Sequence, residues 1–135
     1  MNKVFLGGTC ADTDWRDELI PFLKVDYFNP VVDDWTPDCI DEEDRQKNHF
    51  CNVHLYVITS DMKGVYSIAE VMDSASNHKG VVTILNVMPK GFSEGELKSL
   101  KATCKLVREN GGIAYVDDYL FRTVRLINQG FMGAV

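Results

Sequence analysis

The run Val53-His54-Leu55-Tyr56-Val57-Ile58 decides how this chain folds. Its β-branched and aromatic residues, unbroken by Gly or Pro, predict a central strand buried on both faces. The flanking sequence supplies neighbours for it. Val4-Phe5-Leu6 is a shorter buried-strand pattern closed by Gly7-Gly8, and Tyr27-Phe28 ends a second strand before the turn signal Asn29-Pro30. Between them, Trp15, Leu19 and Leu23 recur at helical spacing and predict a helix over 14–23. Pro37-Asp38 opens an acidic helix predicted to run to about residue 50.

Downstream the alternation continues. A loop over 60–64 leads into a helix over 66–76, and Gly80 introduces a strand over 81–85. A long helix over 94–108 offers Leu97, Leu100, Ala102, Cys104 and Val107 to the interior, and Asn110-Gly111-Gly112 stops it. Ile113-Ala114-Tyr115-Val116 is the fifth strand, and 117–128 the closing helix. Five strands alternating with helices predict an α/β fold in one domain, a parallel sheet covered on both faces.

The 135 residues suffice for one core, and 45% hydrophobic with 25% charged residues is ordinary for a globular chain. No stretch approaches the roughly 18 apolar residues that span a bilayer, so no membrane association is expected. The N-terminus enters a strand directly and does not read as a signal peptide, which makes the cytoplasm the default location. A net charge of −6, with dispersed Lys and Arg, argues against a groove for polymeric nucleic acid but leaves a small nucleoside or nucleotide open. Cys10, Cys39, Cys51 and Cys104 form no CxxC pair and no zinc spacing with His49, His54 or His78. Free thiols are expected, with no metal and no cofactor.

In parallel sheets ligands bind beyond the carboxyl ends of the strands, at the switch in strand order. That rule selects the loops 7–13, 29–36, 59–65 and 86–92. Gly7, Gly8 and Thr9 either let backbone N–H groups approach a ligand or simply form a tight turn. Neither GxGxxG nor GxxxxGK[ST] is present, so dinucleotide-fold and P-loop readings lack their fingerprints. In the second loop Trp35 could stack on a base and Asp33 or Asp34 accept from its amino groups, or the segment is a solvated acidic turn. In the third, Glu70 stands where a helix begins, and backbone dipoles there favour the ionised form that a nucleophile needs. Tyr66, four residues earlier, is spaced to hydrogen-bond it. Asp44, within Asp41-Glu42-Glu43-Asp44, is the natural second acid for managing a proton, or one more charge on a solvated face.

The segments VFLGGTCADTDWRDELIP, YFNPVVDDW and LYVITSDMKGVYSIAEV resemble, in order, the nucleoside 2-deoxyribosyltransferase-like family over roughly the first 90 residues. The resemblance implies a flavodoxin-like fold and N-glycosidic chemistry, either base exchange or hydrolysis, through a glycosyl-enzyme intermediate. It puts Glu70 at the family's nucleophile and Asp44 at its upstream aspartate. Gly8 and Thr9 fall at the sugar-side loop, Asp61 at an acid near the base, and Asn29, Asp33 and Trp35 in the second loop. Two departures stand out: Phe5 where transferases carry a tyrosine, and Asn52 where relatives commonly have an aspartate. The resemblance also implies a homo-oligomer, with the stretch 128–133 a candidate to reach a neighbour. A binding module without turnover on the same fold is the alternative.

Overall fold

The computed structural model describes residues 2–10, 14–32 and 34–130. The expectations for Asp33, and for the end of the chain beyond Gly130, lie outside the described residues. The strands β1 (Lys3–Gly8), β2 (Asp26–Phe28), β3 (Val53–Ile58), β4 (Val82–Val87) and β5 (Ile113–Val116) form one sheet in the order β2-β1-β3-β4-β5. Every pairing is parallel. The helices α1 (Trp15–Leu19), α2 (Asp38–Arg45), α3 (Tyr66–Asn77), α4 (Glu94–Glu109) and α5 (Phe121–Asn128) cover it, giving the three-layer flavodoxin-like α/β fold.

Side chains alternate across the strands, so each face has its own core. Val4, Leu6, Val53, Leu55, Val57 and Ile84 pack against Trp15 and Leu19 of α1 and Leu126 and Ile127 of α5. On the other face Tyr56, Ile58, Leu85, Val87 and Ala114 pack against Val71 of α3 and Leu100, Cys104 and Val107 of α4. The strand read first from the sequence, β3, is buried at all six positions. All four cysteines are free. No helix among the described residues is long and apolar enough to cross a membrane.

Three boundaries and the facing of one residue differ from the sequence reading, each for a local reason. The first helix closes at Leu19 and continues only as a 3₁₀ turn, Ile20–Phe22, because Pro21 brings no N–H for further α-helical bonds. The last helix starts at Phe121 rather than 117. Asp117 accepts the Tyr119 N–H (2.9 Å) and Asp118 the Lys90 N–H (3.0 Å), so both carboxylates hold a turn. Asn86, expected in a loop, is buried in β4 and donates to Thr123 Oγ1 at 3.0 Å. Ala102 is exposed, because the inward stripe of α4 runs Leu100, Cys104, Val107 and Ala102 lies about 200° round from Leu100. The start of α4 is fixed by reciprocal bonds between Ser93 and Glu96.

Candidate active site

Strand order reverses between β1 and β3, and the loops leaving these two strands meet there. Gly7 and Gly8 make that meeting close. A Cβ on Gly7 would stand 2.7 Å from the Tyr56 ring, which lies across β1. Gly8 has φ +107, and a Cβ there would stand 2.2 Å from the Val57 carbonyl oxygen. Both glycines are thus required by packing on β3, whatever else the loop does. Thr9 is buried; its N–H donates to the Val57 carbonyl (2.9 Å) and its hydroxyl accepts from the Thr59 N–H (3.0 Å). Arg16, also buried, reaches under this loop and donates to the carbonyls of Leu6 (2.9 Å) and Thr9 (2.8 Å). Burial lowers its pKa, and the neighbouring Cys10, Glu43 and Glu70 oppose that shift.

Glu70 lies one turn inside α3, not at its start, so the free N–H groups of the first turn are already behind it. Its charge is met by a lysine instead. Lys47 Nζ stands 2.6 Å from Glu70 Oε2, with side-chain exposures of only 17% and 20%. Lys47 comes from the π-helical turn Gln46–Phe50 that continues α2, a distortion often found at functional sites. Its ammonium also lies 5.2 Å over the Phe5 ring. Tyr66, expected to bond Glu70, is 75% exposed and makes no such bond among the described residues.

Two cavities meet at Glu70 and Tyr66. One, of about 250 Å³, runs between the π turn and α3 and is lined also by Asp44, Lys47, Asn48 and Tyr56. The other, of about 300 Å³, opens over Gly8, Thr9, Cys10, Gly64 and Ser67. Each is near the lower end of the size range for small-molecule sites, roughly 300–1,000 Å³. Tyr56 is almost wholly buried, and burial, reinforced by the Glu70 charge, pushes its phenol pKa well up. It remains a neutral donor in this wall.

Behind the ion pair stands a buried polar chain. The Lys47 carbonyl can only accept, so His54 Nε2 carries the proton it donates there (2.9 Å), leaving Nδ1 to accept from Ser74 Oγ (2.8 Å). Ser74 in turn meets Thr83 Oγ1 at 2.7 Å. Ser74 is one turn beyond Glu70 on α3, so His54 ties together the two elements that hold Glu70 and Lys47. Burial brings its pKa down to about 4, with the charges of His78 and Lys47 adding to the effect and the bond to the Lys47 carbonyl opposing it.

The structure therefore brings Glu70, Asp44, Gly8, Thr9 and Tyr66 to one place and leaves others out. Trp35 is 60% exposed and lines neither cavity, nor does Asn29, whose Oδ1 accepts the Val31 N–H at 3.0 Å. Asp61 is exposed beside the second cavity without lining it. Asn52 sits at the opposite end of β3, where it accepts the Lys3 N–H (2.8 Å), remote from Glu70. Sequence reading missed Lys47, Tyr56, His54 and Arg16. The spacing 44, 47, 48 along one helical face was a usable signal for Lys47. Glu43 was passed over for Asp44, yet burial raises its pKa and it feels both Lys47 and Glu70.

A family model described as nucleoside 2-deoxyribosyltransferase like matches residues 1–88. Comparison with curated proteins and with solved structures finds no match. The matched span runs from β1 through β4 and contains both cavities' walls around Glu70. With the family model covering well over half of its length, this chain belongs to the nucleoside 2-deoxyribosyltransferase-like family.

Proposed function

We propose that the protein breaks the N-glycosidic bond of a small (deoxy)nucleoside or nucleotide, with Glu70 as nucleophile. A Glu70 carboxylate oxygen attacks C1′, the C1′–N bond breaks with its electron pair leaving on the base, and a glycosyl ester forms. A second base or water then attacks C1′ from the vacated side, and the carboxylate is released. Two inversions give net retention. Asp44, across the first cavity, handles the proton at the leaving base or the incoming nucleophile. Gly8 and Thr9 border the sugar end, and Tyr66 covers the junction between the cavities.

The observation that carries this reading is the half-sequestered carboxylate held by Lys47 where two cavities meet, at the switch in strand order. Lys47 fixes the direction of one carboxylate oxygen, and Tyr56 supplies a neutral phenol nearby, standing in chemical type for the tyrosine replaced by Phe5. The test is chromatography of deoxynucleosides and deoxynucleotides incubated with protein, with and without an acceptor base. Free base from wild type but not from Glu70→Ala supports the reading, and an acceptor-dependent new nucleoside marks transfer. Free base formed equally by Glu70→Ala would overturn it.

The same ion pair favours a second reading, a nucleoside-binding module without turnover, since a carboxylate oxygen engaged by an ammonium at 2.6 Å is a weaker nucleophile. Ligand-dependent thermal stabilisation with no product would select it.

A further inference from the structure

His78 lines the first cavity together with Glu70, Lys47 and Asp44. It caps the carboxyl end of α3, about two turns beyond Glu70, and its side chain is only 20% exposed. Its Nε2 stands 3.2 Å from Asp73 Oδ2, and Asp73 lines the same cavity. A carboxylate only accepts, so Nε2 carries a proton and Nδ1 is left to take one up and give it away. Hydrogen bonds from Asn77, at 3.0 Å, and from His78 lower the pKa of Asp73 and keep it ionised for this part. When His78 takes a second proton, its charge faces Asp73 and the carbonyl end of α3. The ring packed edge-on against it, His54, has its centroid 5.2 Å away and is held neutral by burial, while Lys47 is already paired with Glu70. His78 also borders a separate polar opening of about 230 Å³, with Ser76, Lys79 and Asn110. A proton used in the cavity is thus replaced from solvent without passing Glu70.

We infer that His78, oriented by Asp73, is the acid that protonates N7 of a departing purine. The inference rests on the proposed N-glycosidic reaction. As the C1′–N9 bond breaks, its electron pair passes into the base and N7 takes the proton from His78 Nδ1, so the base leaves neutral. In base exchange the incoming purine attacks through N9 and returns its N7 proton to the same nitrogen. In hydrolysis water gives its proton to Asp44, which releases it to solvent, and His78 is reprotonated through the polar opening. Set about two turns from Glu70, His78 suits an atom out on the ring rather than the glycosidic nitrogen, and N7 is such an atom.

The test compares kcat on deoxyadenosine and deoxyguanosine with kcat on their 7-deaza forms, which keep the shape but have no N7 to protonate. His78→Gln is expected to slow release of the ordinary bases at least about 10²-fold, the scale of general acid catalysis, and of the 7-deaza bases less than about threefold. Asp73→Asn should give the same pattern with a smaller loss. A merely structural role would slow both kinds of substrate alike, because the two changes would then act independently. Equal slowing of both kinds, or of neither, overturns the inference, and so does the N7-dependent pattern appearing with Asp44→Asn instead. Wild type that frees no purine overturns it as well. Pyrimidine bases still freed by wild type, and not by Glu70→Ala, would in that case leave the N-glycosidic reading standing.

Discussion

The loops after β2 and β3 both carry groups suited to a site in the sequence, and the structure treats them very differently. The segment after β2 carries Trp35 and neighbouring acids, but it leaves an exposed three-residue edge strand, and Val31, Val32 and Trp35 are 47%, 46% and 60% exposed. The region after β3 leaves a fully buried strand, and its carboxylate is tied through Lys47 and His54 into the sheet. A reacting group gains from being held in one direction, and that depends on what stands behind it. The second region has such support; the first presents chemical groups without it.

The hardest blow to this comparison would come from Glu70. Glu70→Ala should reduce free-base formation by roughly 10⁶-fold, the scale seen when a nucleophile is removed, with little change in Tm. Next, Lys47→Met should lower kcat on the order of 10²-fold with a smaller change in KM, as misdirection of a reacting group does, and Lys47→Arg should restore part of it. Steady-state kinetics of the three proteins separates lost orientation from lost binding.

His54 tests the support itself. Its folded pKa, about 4, lies below the ordinary 6.5, so between these values the unfolded chain binds a proton that the folded one does not. Its contribution is complete above pH 6.5 and falls as pH drops toward 4, by roughly 3 kcal/mol in all. NMR titration should show one imidazole still neutral at pH 5, and urea unfolding a matching loss of stability. The smallest effect belongs to the other loop. Trp35→Ala should change stability by less than about 0.5 kcal/mol and kcat/KM less than Lys47→Met does. A Trp35 effect as large as that of Lys47 would erase the contrast and make the β2 loop part of the site.

The sheet was legible because strands buried on both faces announce themselves as β-branched runs, and the order of elements follows from their alternation with amphipathic segments. Boundaries failed where a local group competed with the helix, as Pro21, Asp117 and Asp118 do. In the site, Glu70 was legible from its place after β3 and from the resemblance. Lys47 was legible only as a residue sharing a helical face with Asp44; its contact with Glu70 spans 23 residues and depends on a π turn, which the spacing does not announce. Tyr56 was read only as strand; its place beside Glu70 follows from the register Gly7↔Tyr56, which brings it over a glycine.

The position of β1 has a consequence in time. Val4 pairs with Val53, and β1 lies between β2 and β3, so one long edge of this apolar strand stays open until β3 has been made. At a synthesis rate of about 5–20 residues per second, that interval is roughly 2–10 s. Throughout it, Val4, Phe5 and Leu6 present an unpaired hydrophobic edge on the nascent chain, where aggregation and chaperone capture compete with folding. Slowing translation before residue 58 should therefore lower the yield of native protein more than slowing it afterwards.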